Sequence, residues 1–181
     1  MSTSVITASP QFTARVAGVF YLLNIVTGAL ALFVSGGLQF AAILTATACY
    51  VAVTILFYEV FKPVNRGLSL IAAFFSLAGC AVGVLNLFQV ALPSPLIFFG
   101  FYCLLTGYLI FRSTFLPRIL GVLMAIGGLG WLTFLSPSLA HSLSPFNLAP
   151  GILGEGALTV WLLVTGVNVE RWKEQARASV E

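Results

Sequence analysis

The stretch GILGEGALTVWLL (151–163) contains twelve residues that suit a lipid bilayer and one, Glu155, that does not. A membrane helix needs about 20 largely apolar residues, and the apolar run continues on both sides of this stretch, over 148–169. The stretch therefore predicts a transmembrane helix. It also raises the question of why a carboxyl group lies inside that helix.

The rest of the chain has the same apolar character. Of its 181 residues, 60% are hydrophobic and 7% are charged, whereas a soluble domain has roughly 25% charged residues. Such a chain cannot cover a water-facing surface, so the lipid bilayer is its expected partner. The net charge is +3, but the sequence contains no basic patch interleaved with exposed aromatic residues. Nucleic acid is therefore not an expected partner.

Six apolar segments are separated by short breaks rich in glycine and proline, such as KPVNRG (62–67) and LPSP (92–95), which end helices. The predicted spans cover 15–34, 38–61, 68–91, 96–111, 119–135 and 148–169, between tails at 1–14 and 170–181. We expect an all-α integral membrane protein built as a six-helix bundle. The C-terminal tail is predicted to be a frayed helix end, with Trp172 as an anchor at the membrane interface.

All eight basic residues fall on one side of this topology. They precede the first span, lie in the second and fourth breaks, or follow the sixth span: Arg15, Lys62, Arg66, Arg112, Arg118, Arg171, Lys173 and Arg177. The other three breaks contain no lysine or arginine. The positive-inside rule makes the basic side cytoplasmic, so both termini are expected in the cytoplasm.

Polar residues in the spans cluster at one depth in the outer leaflet. At 1.5 Å per residue, Glu155 lies about 10 Å from the outer start of the sixth span, and Asn86 and Tyr102 lie about 8–9 Å from the outer ends of theirs. Asn24 is deeper, and Trp131 is near the outer end of the fifth span. We expect an outward-facing polar pocket with Glu155, Asn86, Tyr102 and Asn24 as its ligand-binding residues.

A charge in the membrane costs at least ~2.5 kcal/mol on insertion scales, and no basic residue lies at the depth of Glu155. Its side chain is therefore protonated, held by neutral donors such as Asn86 and Tyr102, or in contact with water in a cavity. The alternatives are a protonated carboxyl group that serves only as a packing hydrogen bond, and a residue near the lipid headgroups if the sixth helix begins elsewhere than predicted.

Small and polar residues predict which helix faces turn inward, because membrane helices pack through small residues and interhelical hydrogen bonds. The predicted inner face of the first helix is Ala17, Tyr21, Asn24, Gly28, Ala31 and Ser35. That of the second is Ala42, Thr45, Cys49, Ala52, Leu56 and Glu59. Cys49, Cys80 and Cys103 lie in different apolar segments and are interpreted as packing residues.

Catalytic signatures are absent from the sequence. It contains no HExxH motif and no glycine-rich phosphate loop followed by lysine, and His141 is its only histidine. An enzyme is not indicated, and neither a cofactor nor a metal ion is expected, since a carboxyl group would need nitrogen ligands that the chain lacks.

The segment GFYCLLTGYLIFRSTFLPRILGVLMAIGGLGWL (100–132) resembles a bacterial membrane family known as domain of unknown function 4386. Three further segments resemble its opening helix, its second-to-third turn and its close: ARVAGVFYLLNIVTG (14–28), KPVNRGLSLIAAFF (62–75) and GEGALTVWLLVTGVNVERW (154–172). The resemblance implies a multi-pass protein of the bacterial inner (plasma) membrane and supplies no activity. It further implies that Glu155 occupies a recurrent acidic position. Many members have histidine where this chain has Tyr102, so a His–Glu metal site is not expected here.

We therefore expect an uncharacterised membrane protein that binds or transports a small molecule at Glu155. The alternative is a structural or accessory membrane subunit whose polar residues only lock helix packing. A cavity on the order of hundreds of Å³ that reaches the outer surface would favour the first function, and a closed bundle with Glu155 bonded to neighbouring helices would favour the second. Six helices are few for a transporter, so a homodimer is expected.

Overall fold

The structure is a computed structural model that describes residues 9–179. It contains eight α-helices: α1 (Pro10–Leu30), α2 (Gly36–Phe61), α3 (Arg66–Leu87), α4 (Pro95–Arg112), α5 (Arg118–Leu132), α6 (Pro137–Leu143), α7 (Ala149–Val164) and α8 (Val169–Ala178). Short 3₁₀ turns at Thr133–Leu135 and Phe146–Leu148 flank α6. Residues 9–179 form no strand, so the all-α prediction is confirmed.

Six helical segments are long and apolar enough to cross a membrane, which confirms the predicted six-helix bundle. They are Pro10–Leu30, Gly36–Phe61, Arg66–Leu87, Pro95–Arg112, Arg118–Leu135 and Phe146–Val164. Because successive spans run in opposite directions, the eight basic residues meet at one end of the bundle. We call this the basic end and the opposite one the neutral end.

Local sequence explains where the first and last spans begin and end. The Ser9 hydroxyl accepts a hydrogen bond from the Phe12 amide and Pro10 occupies the first turn, so α1 begins five residues before the predicted start at 15. Gly166 has a φ of +73°, a conformation that glycine adopts easily. It ends the predicted span 148–169 early, and the chain continues as the separate helix α8.

The six long helices form a closed ring. Each packs against its neighbours in sequence, with the short helix α6 outside this order, and α7 packs against α1 to close the circle. Side chains from every helix can therefore meet at the centre. Lipid surrounds the outside, where large apolar side chains such as Phe74, Leu129 and Val164 are exposed.

Glycines set the closest helix contact, between α4 and α5. A Cβ atom placed on Gly121 would lie 2.5 Å from the carbonyl oxygen of Gly107, and one on Gly107 would lie 2.7 Å from the carbonyl oxygen of Gly121. The two backbones therefore approach too closely for any side chain larger than hydrogen, as small residues allow in membrane proteins.

The inner face of α1 agrees with its predicted stripe up to Ala31, whereas Ser35 is exposed beyond the end of the helix. The inner face of α2 is rotated by about one residue from its prediction. Thr45 and Glu59, predicted to face inward, are exposed, whereas Tyr50 and Thr54 are buried. The prediction for α2 favoured small residues and missed that Tyr50 fills the centre of the ring. Glu59 forms an ion pair with Lys62 at the basic end, as its position three residues before Lys62 indicates.

The chain beyond α7 is ordered as a helix packed onto the basic end, rather than the predicted frayed end. The Asn168 side chain caps α8 by accepting a hydrogen bond from the Arg171 amide. The Trp172 indole donates to the carbonyl oxygen of Val60 at 2.8 Å. The Gln175 side chain accepts hydrogen bonds from the amide and hydroxyl of Thr114. Trp172 thus binds the end of α2.

Candidate functional site

The Glu155 carboxyl group points into the ring and retains 9% of its surface. Its Oε1 accepts a hydrogen bond from the Trp131 indole N–H at 2.9 Å and lies 3.6 Å from the Cys103 thiol, which donates to it. The carboxyl group therefore joins α7 to α5 and α4. Within residues 9–179 the only ion pair is Lys62–Glu59, so Glu155 has no basic partner there.

Trp131 covers the carboxyl group from the neutral end. Its indole ring lies against Gly151, where an added Cβ would overlap the ring. Gly151 and Glu155 are four residues apart on α7 and share a face. The missing side chain at Gly151 thus makes room for the indole, which then reaches Glu155 one turn away.

Three tyrosines, which we call the tyrosine cluster, fill the ring beside Glu155: Tyr21 of α1, Tyr50 of α2 and Tyr102 of α4. Their exposed fractions are 0%, 5% and 1%. The ring centroids of Tyr21 and Tyr50 are 5.6 Å apart and those of Tyr50 and Tyr102 are 5.7 Å apart, both in edge-to-face geometry. The cluster therefore links three helices at the level of the carboxyl group.

None of the three tyrosine hydroxyls makes a hydrogen bond of good geometry with another described residue, although Tyr21 lies near both Glu155 and Tyr50, and Tyr102 lies near Thr106. All three lie close enough to Glu155 to interact with it electrostatically, as does Cys103. Buried polar groups in native proteins are nearly always hydrogen-bonded, and an unpartnered one requires an explanation such as a bound ion or water. Here three of them gather around a single carboxyl group.

A small cavity extends from the tyrosine cluster towards the basic end. It lies between α2, α3 and α4, and has room for about one water molecule. Its polar lining residues are Thr54, Tyr58, Ser69, Tyr102 and Thr106. Phe61, the last residue of α2, also lines it, so the cavity reaches the level at which α2 ends.

Two of the four predicted site residues meet in the structure. Tyr102 lies in the tyrosine cluster near Glu155, but its hydroxyl does not donate the predicted hydrogen bond to the carboxyl group. No hydrogen bond among the described residues joins Glu155 to Asn86 or Asn24, and the donors predicted for the carboxyl group are replaced by Trp131 and Cys103. Asn24 is half-buried, and the side-chain oxygen of Asn86 is buried without a partner. A ligand-binding role for these four residues stays a prediction.

Sequence reasoning missed four members of the site: Tyr21, Tyr50, Cys103 and Trp131. The sequence pattern predicts the inner face for Tyr21 and the depth of Trp131 correctly, but it does not connect either residue to Glu155. One usable signal was Gly151, because a small residue one turn before a buried carboxyl group leaves space for a large partner. Within residues 9–179, no three histidine, cysteine or acidic side chains come together as metal ligands.

The ring of apolar helices and its central carboxyl group define a helical-bundle membrane protein. The chain belongs to the family described as "Domain of unknown function (DUF4386)", whose model matches residues 36–97 and 84–166. This confirms the resemblance found in the sequence. The matched ranges cover α2 to α7 and include Glu155, Tyr50, Tyr102, Cys103 and Trp131; they do not include α1.

A relative from the archaeon Archaeoglobus fulgidus, described as an uncharacterized protein, is 26% identical to the chain over 125 residues. The alignment covers 64% of this chain and 76% of the relative. No solved structure matches the chain. Neither the family nor the relative has an assigned activity, so the function rests on the site itself.

Proposed function

We propose that this membrane protein binds a small monovalent cation, either an inorganic ion or a primary ammonium ion, at the Glu155 carboxyl group. The observation that supports this is the gathering of three unpartnered tyrosine hydroxyls around a carboxyl group that has no basic partner. A cation would supply the positive charge that the carboxylate lacks among its neighbours, and the phenol oxygens would bind it. Intramembrane acidic residues commonly mark ion and substrate pathways.

The geometry limits the size of the ligand. The tyrosine rings already pack edge to face, and the Trp131 indole covers the carboxyl group from the neutral end. The cavity lined by Tyr102 has room for about one water molecule, so a ligand of that size is expected, and aromatic rings attract an ammonium group through their π-faces. Entry from the neutral end, as in the outward-facing pocket expected from the sequence, requires the indole to move away from Gly151.

A second candidate function is the structural or accessory role. It is favoured by the hydrogen bonds from Trp131 and Cys103, which join three helices through Glu155 as a packing contact would. It is also favoured by the closed bundle, in which the cavity beside Tyr102 holds about one water molecule rather than the large outward-facing pocket expected from the sequence. This role leaves the tyrosine hydroxyls unexplained, because a carboxyl group used only for packing does not need three unpartnered polar groups beside it. We therefore rank cation binding first.

Thermal unfolding of the purified protein in detergent tests the proposal. The probes are sodium, potassium and methylammonium chlorides, with choline chloride holding the ionic strength constant. A cation present at about 100 times its Kd stabilises the folded state by ~2.7 kcal/mol, so one probe is expected to raise Tm by several degrees. Glu155→Gln is expected to abolish this rise, because the amide removes the negative charge but keeps the shape.

Glu59→Gln is the matched control, since it makes the same substitution at an exposed ion pair on the basic end. It is expected to leave the cation-dependent rise in Tm unchanged. If no probe raises the Tm of the wild type, or if the rise survives in Glu155→Gln, cation binding at this site is wrong. If no probe raises the Tm of either the wild type or Glu155→Gln, and Glu155→Gln is the less stable of the two, the result supports the structural role.

We further propose that the basic end faces the cytoplasm of a bacterial inner membrane, with both termini inside. The positive-inside rule supports this orientation. Single cysteines placed at positions 37, 93 and 141, in a chain whose native cysteines are replaced, are expected to react with an impermeant maleimide only from outside. Gly37 is preferred to Gly36, because Gly36 has a φ of +63° that a side chain would strain. Reaction from the cytoplasmic side at any of these positions would reverse the orientation.

A further inference from the structure

The cavity between α2, α3 and α4 lies on the opposite side of Glu155 from Trp131. On α4 its lining runs from Tyr102 through Thr106 to Leu109, seven residue steps or roughly 10 Å along the helix axis. These residues lead from the tyrosine cluster towards Arg112, at the end of α4. The residues that line the cavity thus extend from the level of the carboxyl group towards the basic end.

The cavity is polar for a site inside an apolar bundle. Thr106 and Ser69 are 1% and 3% exposed. The Thr54 hydroxyl, at 2% exposure, shares a hydrogen bond with that of Ser76 at a distance of 2.5 Å. The hydroxyl of Tyr102 has no partner and its side chain lines the cavity. A buried water needs two to four polar partners, and this lining supplies them.

We propose that Glu155 exchanges protons with the basic end through the tyrosine cluster and a water molecule in this cavity. The inference rests on the proposed function, because it makes the bound cation exchangeable with a proton on the same carboxyl group. The titratable side chains that face Glu155 are Tyr21 on α1, Tyr50 on α2, and Tyr102 and Cys103 on α4. The partner that α5 contributes, Trp131, does not titrate.

One proton moves from the Glu155 carboxylic acid to bulk water, and none is gained or lost on the way. The carboxylic acid gives its proton to a phenol oxygen as that phenol passes its own proton to the next hydroxyl, and the last phenol, Tyr102, protonates the cavity water. Each phenol is regenerated, and a carboxylate and a hydronium ion remain. The hydronium ion then loses its proton to bulk water at the basic end. Motion of the packed rings brings successive hydroxyls into hydrogen-bond distance.

Tyr102→Phe tests the relay with little risk to folding. It removes a buried hydroxyl that has no partner and keeps the ring that packs on Tyr50, so stability is expected to be retained or improved. The measurement is hydrogen–deuterium exchange of the Glu155 carboxylic acid, followed by its infrared C=O band after mixing proteoliposomes with D₂O. The band is assigned by its loss in Glu155→Gln. Tyr102→Phe is expected to slow the exchange by about tenfold or more.

Tyr108→Phe is the matched control, since it makes the same substitution on the same helix at a side chain that is 50% exposed. It is expected to exchange at the wild-type rate. Exchange at the wild-type rate in Tyr102→Phe would overturn the inference, as would the absence of a Glu155 carboxylic acid band at every pH. If Tyr102→Phe does not fold, Thr106→Val takes its place, because it also removes a hydroxyl from the cavity. Exchange at the wild-type rate in Thr106→Val would then overturn the inference. The measurement uses no added cation, so its failure is distinguishable from a failure of cation binding.

Discussion

Gly121→Ala is expected to lower the free energy of unfolding by about 3 kcal/mol, the upper range for overpacking a tightly packed site. The new Cβ would lie 2.5 Å from the carbonyl oxygen of Gly107 and 2.8 Å from the amide nitrogen of Phe111. Both are backbone atoms of α4, so no rotamer change relieves the overlap and the two helices must separate. Chemical unfolding in mixed micelles, followed by far-UV circular dichroism, measures the loss.

Gly156→Ala is the control for this prediction. Gly156 lies on α7, and a Cβ there meets nothing within 4 Å. The better helix propensity of alanine, worth up to ~1 kcal/mol, should leave this variant as stable as the wild type or more so. Gly107→Ala should behave like Gly121→Ala, and the double variant should lose less than the sum of both, because one helix separation relieves both overlaps. Equal stability of Gly121→Ala and Gly156→Ala would refute the close α4–α5 contact.

Trp172→Ala is expected to release α8 from the basic end and to cost about 2–3 kcal/mol. This is less than the cost for a fully buried tryptophan, because the side chain is half-buried. The substitution removes the indole that packs on the core and leaves the carbonyl oxygen of Val60 without its side-chain donor. Faster amide hydrogen exchange across 169–178, measured by mass spectrometry, would show that α8 has lost its contact.

Two companion variants separate the contributions at Trp172. Trp172→Phe keeps an aromatic ring and loses the N–H, so it should cost only about 1 kcal/mol, the net value of one hydrogen bond. Lys173→Ala changes the adjacent exposed residue and should leave exchange in α8 unaltered. If Trp172→Ala leaves the exchange of α8 at the wild-type rate, then the contact with Val60 does not hold the helix.

The architecture could be predicted from the sequence because lipid imposes strong rules. Segment length and hydropathy predict six spans. The distribution of basic residues predicts which end of each span lies on the same side of the membrane as the others. The inner face of α1 could also be predicted, since its small and polar residues follow one stripe that includes Tyr21. The composition of the ring's interior could not, because an aromatic residue such as Tyr50 suits lipid and protein interiors equally well. Only the packing of neighbouring helices determines whether the Tyr50 side chain points into the ring or towards lipid.

The site illustrates the same limit. The position of Tyr102 along its helix correctly predicts that it lies at the level of Glu155, because the rise per residue in an α-helix is nearly constant. Depth does not give the rotation of one helix about its axis relative to another, and so Asn86 was expected at the carboxyl group where Cys103 is found. A lone cysteine carries no spacing signal, so the sequence predicts only a packing role for the thiol. The indole of Trp131 reaches Glu155 only because Gly151 has no side chain.

The order of the chain has a consequence for biogenesis. The residues around the Glu155 carboxyl group, from Tyr21 to Trp131, all precede it in the sequence, and α7 is the last of the long helices to be synthesised. An acidic residue lowers the tendency of an isolated segment to leave the translocon for lipid by several kcal/mol. Here the segment emerges when the hydrogen-bond donors are already in the bilayer. A ribosome stalled after α5 would therefore leave a five-span intermediate whose polar centre stays open until the final span arrives to close it.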